Sequence, residues 1–308
     1  YEPVQKEWSP AVEKLLMGVQ ASLWTEFCNK PEDVDYLLFP RLSALAEGAW
    51  TQTDRKDWQT YLKAMDRFNE HIAAKGIVYA RSMYNIQHTV TPVDGQLQVK
   101  LECVRPDVQI HYTTDGKEPD LQSALYSEPL RLTTSKTVKA ATFANGEQIG
   151  KTLVLPVEWN KATAKPIWGS NTEKLNGVRG SLKQTDFEWC SWMNNDTISF
   201  TVDLQKKEEI HTVTLGCITV YGMAVHKPAC IRVAVSDNNR NFRLAGELHY
   251  SQKEIFREGS YVDNCSFALD NVQARYVRIT LCGAGLCPEN HVRPGQEARP
   301  FLDELIIE

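Results

Sequence analysis

The feature that most limits the fold is a change of hydrophobic period near residue 81. Before it, Gly76 ends a predicted helix with one apolar face, made of Trp58, Tyr61, Leu62, Met65, Phe68 and Ile72. After it, residues 82–162 sustain no helical period, and apolar residues such as Leu97 and Val99 alternate with polar ones. Asp-Gly and Asn-Gly turn signals separate these runs. The pattern predicts an α/β part followed by all-β sandwiches.

Further signals divide residues 1–81. Ser9-Pro10 and Pro31 each open a predicted helix, the first ending near Gly18, and Asp54 is a candidate cap for a third. Between the first two helices, residues 18–26 alternate with the period of a strand. A helix-strand-helix order is typical of a parallel α/β barrel, but a complete barrel needs about 250 residues. We therefore expect a C-terminal piece of a longer protein, the rest of which would precede Tyr1.

Composition excludes several classes of protein. The chain has 308 residues, enough for two or three domains, and a formal net charge of -5. That charge gives no electrostatic case for binding nucleic acid. No apolar run approaches the length of a membrane span, and no signal-peptide pattern follows Tyr1.

The cysteines leave two readings open. There are eight, six of them in the last 146 residues, where they could form three disulfides in any of 15 connectivities. The sequence contains no Cys-x-x-Cys motif and no pair of histidines at the spacing of zinc ligands. The cysteine spacing therefore does not indicate a zinc site. A large domain does not require disulfides, so mostly buried thiols are favoured over a disulfide framework.

The stretch Gly18–Glu26 carries the first candidate binding residues. If the predicted strand extends that far, Trp24 and Glu26 lie on the same side of it. An indole stacks on the apolar face of a sugar ring, and a carboxylate accepts hydrogen bonds from its hydroxyls. The alternative is a core tryptophan beside a solvated glutamate.

A family resemblance favours the sugar site. Residues 23–26, Leu-Trp-Thr-Glu, with the run 39–47 and Trp50, resemble the end of the catalytic barrel of glycoside hydrolase family 20. These are exo-acting β-N-acetylhexosaminidases, whose substrates are glycans ending in N-acetylhexosamine. The resemblance implies that Trp24 lines the pocket for the terminal sugar and that Glu26 holds its outer hydroxyls.

The same resemblance implies that the catalytic residues are not in this sequence. The family uses the substrate's acetamido group as nucleophile, assisted by an Asp-Glu pair in a His-x-Gly-Gly-Asp-Glu motif. That motif does not occur here, and Tyr1 does not match the family's catalytic tyrosine. We expect the 308 residues alone to have no hydrolytic activity.

Two further resemblances cover the β-rich part. The run 111–119, within residues 82–162, resembles the small immunoglobulin-like C-terminal domain of chitobiases and hexosaminidases, which implies a spacer. Residues 163–308 resemble the discoidin (coagulation factor 5/8 C-type) domain, a jelly roll used as a carbohydrate-binding module. Its most specific parts here are residues 202–204, 228–236 and the closing Asp303-Glu304.

The discoidin resemblance implies two candidate sites. Asn176, Ser181 and Glu304 match positions that hold a structural calcium in many such modules, although Asn176 stands where aspartate is usual. The alternative there is a loop closed by hydrogen bonds. No other cofactor is expected. Loop-tip side chains that could bind glycans are Trp192, Tyr221, His226, Tyr250, Tyr261, His291 and Arg293.

The function expected from these signals is that of a secreted or periplasmic β-N-acetylhexosaminidase, with this chain as its C-terminal part. A non-catalytic glycan-binding or adhesion module is the alternative. A third reading is that both sandwiches only brace the barrel.

Overall fold

The computed structural model describes residues 3–5, 7–26, 28–186, 188–192 and 197–308. The chain folds into two compact units, Tyr1–Met83 and Tyr84–Glu308. Among the described residues, the first is helical and the second consists of β-strands with a few short helical turns. The division between the two units falls two residues after the change of period near residue 81. No helix among the described residues is both long and apolar enough to cross a membrane.

The first unit contains four α-helices: α1 Pro10–Glu13, α2 Pro31–Leu38, α3 Arg41–Trp50 and α4 Trp58–Ala74. Ser9 caps α1 as its sequence indicates, accepting a hydrogen bond from the Val12 amide. The cap of α4 is Asp57 rather than the predicted Asp54, because only Asp57 reaches the Thr60 amide, at 2.8 Å. Gly76, with φ +75°, ends the helix as predicted.

Most apolar burial in the first unit belongs to α4. It buries Leu62, Met65 and Ile72, while the ring of Phe68 lies 5.9 Å from that of Phe39. Other large apolar side chains of this unit stay exposed, among them Trp8, Leu15, Met17, Trp24, Trp50 and Trp58. The structure describes no strand among residues 7–26, so the predicted strand over 18–26 is wrong.

The second unit begins with a sandwich of two antiparallel sheets. One sheet has the order β1-β2-β5, and the other has the order β4-β3-β6-β7 with β8 paired to β6. Leu97 and Val99 from the first sheet pack against Val138 and Leu155 from the second in one core. The strands are β1 Gln87–Val93, β2 Gln96–Glu102, β3 Gln109–Thr113, β4 Ala124–Leu125, β5 Leu130–Leu132, β6 Lys136–Ala144, β7 Glu147–Gln148 and β8 Leu153–Val157.

The second sandwich is built around two strands of 23 residues, β11 and β14. Register shifts between Asp203 and Glu208, and between Ile210 and Thr212, divide β11 into halves, and both halves contribute to one core. The sheet order is β10-β15-β11-β14-β12-β13, with β9 paired to β11. Its elements are β9 Ile167–Trp168, β10 Cys190–Ser191, β11 Ile198–Val220, β12 Cys230–Ser236, β13 Arg243–His249, α5 Gln252–Ile255, β14 Ser260–Cys282 and β15 Phe301–Ile307.

The two sandwiches share structure across their boundary. Val178 belongs to the core of the first sandwich, although its segment leads into the second. The Glu158 amide donates to the Gly177 carbonyl at 2.7 Å, and His88 on β1 contacts Glu188. The second unit is therefore one compact body that contains two cores.

The cysteines include one disulfide, between Cys230 on β12 and Cys282 on β14. These residues are direct cross-strand partners. The remaining cysteines are thiols, and Cys190, Cys217, Cys265 and Cys287 are buried. Six of the eight cysteines are therefore free thiols, and four of those six are buried.

Candidate functional site

Trp24 and Glu26 lie in an irregular segment that precedes α2. The Trp24 side chain is 75% exposed and Glu26 is also exposed. Glu26 lies in a turn in which the Cys28 amide donates to the Thr25 carbonyl at 3.0 Å. Trp24 is therefore not in a core among the described residues of this unit. No strand orients the two side chains here, so their shared direction stays a prediction.

A cavity of about 560 Å³ lies close to this segment in sequence. It is bounded by Ala21, by Arg41 and Glu47 on α3, and by Trp58 and Tyr61 at the start of α4. The two aromatic rings stack with centroids 5.5 Å apart. Burial, and then the nearby Glu47 carboxylate, raise the pKa of the Tyr61 phenol. The cavity thus offers an aromatic wall with an acid and a cation at its rim.

In the second unit, four of the predicted glycan-binding residues converge at one end of the second sandwich. The ring of Tyr221 lies 3.9 Å from that of His291, and Nε2 of His291 lies 3.1 Å from Nε2 of His226. Arg293 donates to the Gly222 carbonyl, one residue after Tyr221. Sequence reasoning selected these residues singly, as loop tips; the structure brings them together.

The two histidines lie behind the surface. His226 and His291 are 1% and 4% exposed, with Phe256 packed against His226. Burial lowers the pKa of His226 to about 4 and also lowers the pKa of His291. Both rings are therefore neutral at pH 7. In this position they support the surface residues Tyr221 and Phe256 and are not in direct reach of a glycan.

A groove of about 700 Å³ opens in front of this cluster. Tyr221 and Phe256 form its apolar part, and Pro288 and Asn290 line it from the loop after β14. Its charged lining consists of Lys227, Lys253, Glu254, Arg257 and Glu258. An aromatic platform with polar and charged groups around it is a composition suited to a sugar.

A different groove, of about 480 Å³, lies at the other end of β12. Lys207, Phe242 and Arg243 line it together with the polar turn that follows Ser236. It combines an aromatic ring with cations, as the first groove does, but none of the predicted glycan-binding residues reaches it.

The remaining candidates have other surroundings. Trp192 is 3% exposed, packs in the core of the second sandwich, and donates its indole N–H to the Ser170 carbonyl at 3.0 Å. Tyr250 packs on the same core with the Lys227 ammonium over its ring, and Tyr261 stacks with Arg257. The prediction that Trp192 binds glycans does not fit its position, because no face of a buried ring can stack on a sugar.

The predicted calcium residues are held by hydrogen bonds to the backbone. One oxygen of Glu304 accepts from the Gly177 amide and the other from the Leu305 amide, at 2.8 Å. The side-chain oxygen of Asn176 accepts from the Val178 amide at 3.0 Å, and Ser181 is exposed and accepts from Lys183. Complete burial raises the pKa of Glu304 to about 8. The oxygens of Asn176 and Glu304 are thus engaged as in a loop closed by hydrogen bonds, and calcium at these residues stays a prediction.

Comparison with known protein families then identifies two parts of the chain. Residues 1–53 match the catalytic domain of glycosyl hydrolase family 20. Residues 91–153 match the chitobiase/beta-hexosaminidase C-terminal domain. Residues 1–53 are therefore similar to a segment of a family 20 catalytic domain, and Trp24 and Glu26 lie inside the matched residues.

Curated relatives agree with this assignment. A beta-hexosaminidase of Porphyromonas gingivalis is 27% identical over 161 residues, which is 51% of this chain and 21% of that protein. A beta-N-acetylhexosaminidase of Cellulomonas fimi is 33% identical over 61 residues, 18% of this chain and 12% of that protein. The chain thus spans about a fifth or less of the length of these relatives.

Solved structures resemble the chain only weakly. A fucose-binding module of Streptococcus pneumoniae covers 54% of this chain and 97% of its own, at 19% identity and a TM-score of 0.31. A TM-score this low carries no weight for function. The description of residues 163–308 as a β-sandwich therefore rests on the strand order and the core given above.

Proposed function

We propose that this chain is part of an exo-acting β-N-acetylhexosaminidase. The enzyme would remove terminal N-acetylglucosamine or N-acetylgalactosamine from glycans by substrate-assisted, retaining catalysis. The observation that carries the proposal is the match of residues 1–53 to the family 20 catalytic domain. The Asp-Glu pair that this chemistry needs would come from another part of the protein, since the motif does not occur among these 308 residues.

Within this proposal, Trp24 and Glu26 bind the terminal sugar. The exposed indole of Trp24 offers a face for the C–H surface of the ring, and the Glu26 carboxylate accepts hydrogen bonds from its outer hydroxyls. A charged hydrogen bond that strengthens in the transition state contributes to kcat/KM and not only to substrate affinity. The role proposed for Glu26 is therefore to hold the sugar while its acetamido group attacks.

Replacing Glu26 by glutamine in the whole enzyme tests this role. We expect kcat/KM for a chromogenic N-acetylglucosaminide to fall about 10- to 150-fold, equivalent to roughly 1.5–3 kcal/mol for one charged hydrogen bond. Glu70→Gln, which changes an exposed carboxylate on α4, should leave the kinetics unchanged. Unchanged kinetics in Glu26→Gln would remove this residue from the sugar site.

A second function is proposed for the groove beside Tyr221. We infer that it binds glycans without catalysis and holds the enzyme on its substrate. The groove supports this because Tyr221 and Phe256 offer aromatic surface while Lys253 and Arg257, both exposed, offer hydrogen-bond donors to hydroxyls. If the substrates are extracellular glycans, the enzyme would be secreted or periplasmic.

Paired charge removals test the glycan groove. The double variant Lys253→Ala and Arg257→Ala should weaken glycan-array binding by the 308-residue chain about tenfold or more, since each donor is worth roughly 1 kcal/mol. Lys207→Ala with Arg243→Ala removes the same charge from the groove at the other end of β12 and should leave binding unchanged. Equal losses in both double variants would indicate only a general electrostatic effect. A flat array for the unchanged chain would leave this domain a bracing role.

A further inference from the structure

Three buried side chains with nitrogen or sulfur donors meet behind the glycan groove. They are His226, Cys287 and His291, exposed by only 1%, 3% and 4%. One donor atom from each lies within 4.8 Å of the other two, and the two imidazole Nε2 atoms are 3.1 Å apart. In a tetrahedral zinc site, metal–ligand distances of about 2.0–2.3 Å place neighbouring donors roughly 3.3–3.6 Å apart. The cluster is therefore close to the size of a metal site before any ion enters.

The hydrogen bonds of His226 orient it as a ligand. Its Nδ1 lies 3.0 Å from the Ile255 carbonyl, which can only accept, so Nδ1 carries the proton. Nε2 of the neutral ring then has a lone pair, directed at His291. Metal-binding histidines commonly donate their other ring N–H to a backbone carbonyl in this way.

His291 completes a pair that shares one proton. Its Nδ1 accepts from the Arg293 amide at 2.9 Å, so its Nε2 carries the proton and donates it to Nε2 of His226. This proton occupies the position between two nitrogen atoms that a cation would take.

The surroundings of the cluster hold it in place. Phe256 packs against His226, and Tyr221 packs against His291. The loop that carries Cys287 is closed on itself, because the Cys287 amide donates to the Gln296 carbonyl at 2.8 Å. The donors therefore stand on two segments, His226 on one and Cys287 with His291 on the closed loop, and an apolar shell separates them from water.

We propose that His226, Cys287 and His291 bind a divalent cation with an affinity for nitrogen and sulfur, namely zinc. Two imidazoles and a thiolate are ligands of this class, and they do not suit calcium, which takes oxygen ligands. The site is independent of the sugar-binding role proposed above.

Binding changes protons but no oxidation states. The Cys287 S–H bond breaks, the proton passes to solvent, and the thiolate binds the ion. The His291 proton moves from Nε2 to Nδ1, and the Arg293 amide gives up its acceptor. Each ion thus releases one proton and replaces two hydrogen bonds, the one between the histidines and the one from the Arg293 amide, by three metal–ligand bonds. Pattern analysis of the sequence missed the site because 61 residues separate His226 from Cys287.

Cobalt(II) titration of the full 308-residue chain under reducing conditions tests the proposal. We expect one ion per chain, with a thiolate-to-cobalt charge-transfer band that stoichiometric zinc abolishes. Cys287→Ser should lose the band and bind zinc at least about tenfold more weakly, because losing even a hydrogen-bond partner of a metal ligand costs 10- to 100-fold. His291→Gln should weaken zinc binding to a similar degree.

Matched variants make the result specific. Cys28→Ser and His249→Gln change a cysteine and a histidine outside the cluster and should bind as the unchanged chain does. Absence of the band from the unchanged chain would overturn the proposal whatever the variants do. So would a band that survives in Cys287→Ser but disappears in Cys217→Ser, since Cys217 lies 3.5 Å from Cys265 and forms a separate thiol pair.

Discussion

At the scale of single residues, burial decides what the predicted site residues can do. Glu304 is 2% exposed and its neighbour Asp303 is fully buried, yet their surroundings differ. Arg179 donates to Asp303 at 2.8 Å, whereas both oxygens of Glu304 accept from backbone amides. Burial raises the pKa of both carboxyls above their usual range despite these donors. The second sandwich therefore folds around a carboxylic acid that is neutral at pH 7.

This protonated acid predicts a pH dependence of stability. Because the pKa of Glu304 rises from 4.5 to about 8 on folding, the folded state binds the extra proton between those values. Its contribution is complete below pH 4.5 and is lost as the pH rises through 8. Between pH 5 and 8 the free energy of unfolding should therefore fall, by on the order of a few kcal/mol. Urea unfolding at a series of pH values measures this.

Variants separate Glu304 from other titrating groups. The glutamine in Glu304→Gln cannot ionise, so the free energy of unfolding of this variant should change less between pH 5 and 8. This holds even if the variant is more or less stable than the unchanged chain at every pH. Glu297→Gln replaces an exposed glutamate in the same sandwich and should keep the original slope. Identical slopes in all three proteins would contradict the prediction. Stabilisation by calcium that is lost in Glu304→Gln would instead support the calcium site.

At the scale of elements, local signals were predictable and long-range pairing was not. Ser9 and Gly76 mark helix ends as their residue types indicate, because capping depends on the nearest few residues. The two 23-residue strands were not predictable, since the bulges that divide β11 depend on partners far along the chain. The prediction for Trp192 failed for the same reason. The sequence shows that the residue is aromatic, but it does not show whether the side chain faces the core of the sandwich or the solvent.

The joint between the two sandwiches carries an element-scale prediction. Gly177 has φ +91°, and a Cβ there would lie 2.9 Å from Cδ1 of Leu97 on β2. Gly177→Ala should therefore lower the free energy of unfolding by about 2 kcal/mol or more, from the left-handed backbone and the close contact. Gly222→Ala has no atom within 4 Å of its new Cβ and an ordinary φ, so it should be nearly neutral. Equal denaturant midpoints for these two variants would contradict a tight joint.

At the scale of the whole molecule, the two units differ in how much apolar surface they cover. The second unit has continuous cores in both sandwiches. The first leaves Met17, Trp50 and Trp24 largely exposed, and its residues 1–53 match the family 20 catalytic domain. The sequence was sufficient to predict this similarity, because the motif around Trp24 is local. The geometry of a sugar pocket was not predictable, since barrel sites are built from the ends of several strands.

A prediction about catalysis concerns the whole chain. The proposed chemistry requires an Asp-Glu pair beside the acetamido group, and the motif that supplies it does not occur in these 308 residues. The chain alone should therefore give no turnover of a chromogenic N-acetylglucosaminide above background. Glu26→Gln prepared in parallel provides the control, because a contaminating hexosaminidase would give both samples the same rate. Turnover by the unchanged chain that falls in Glu26→Gln would show that the residues needed for hydrolysis are already present between Tyr1 and Glu308.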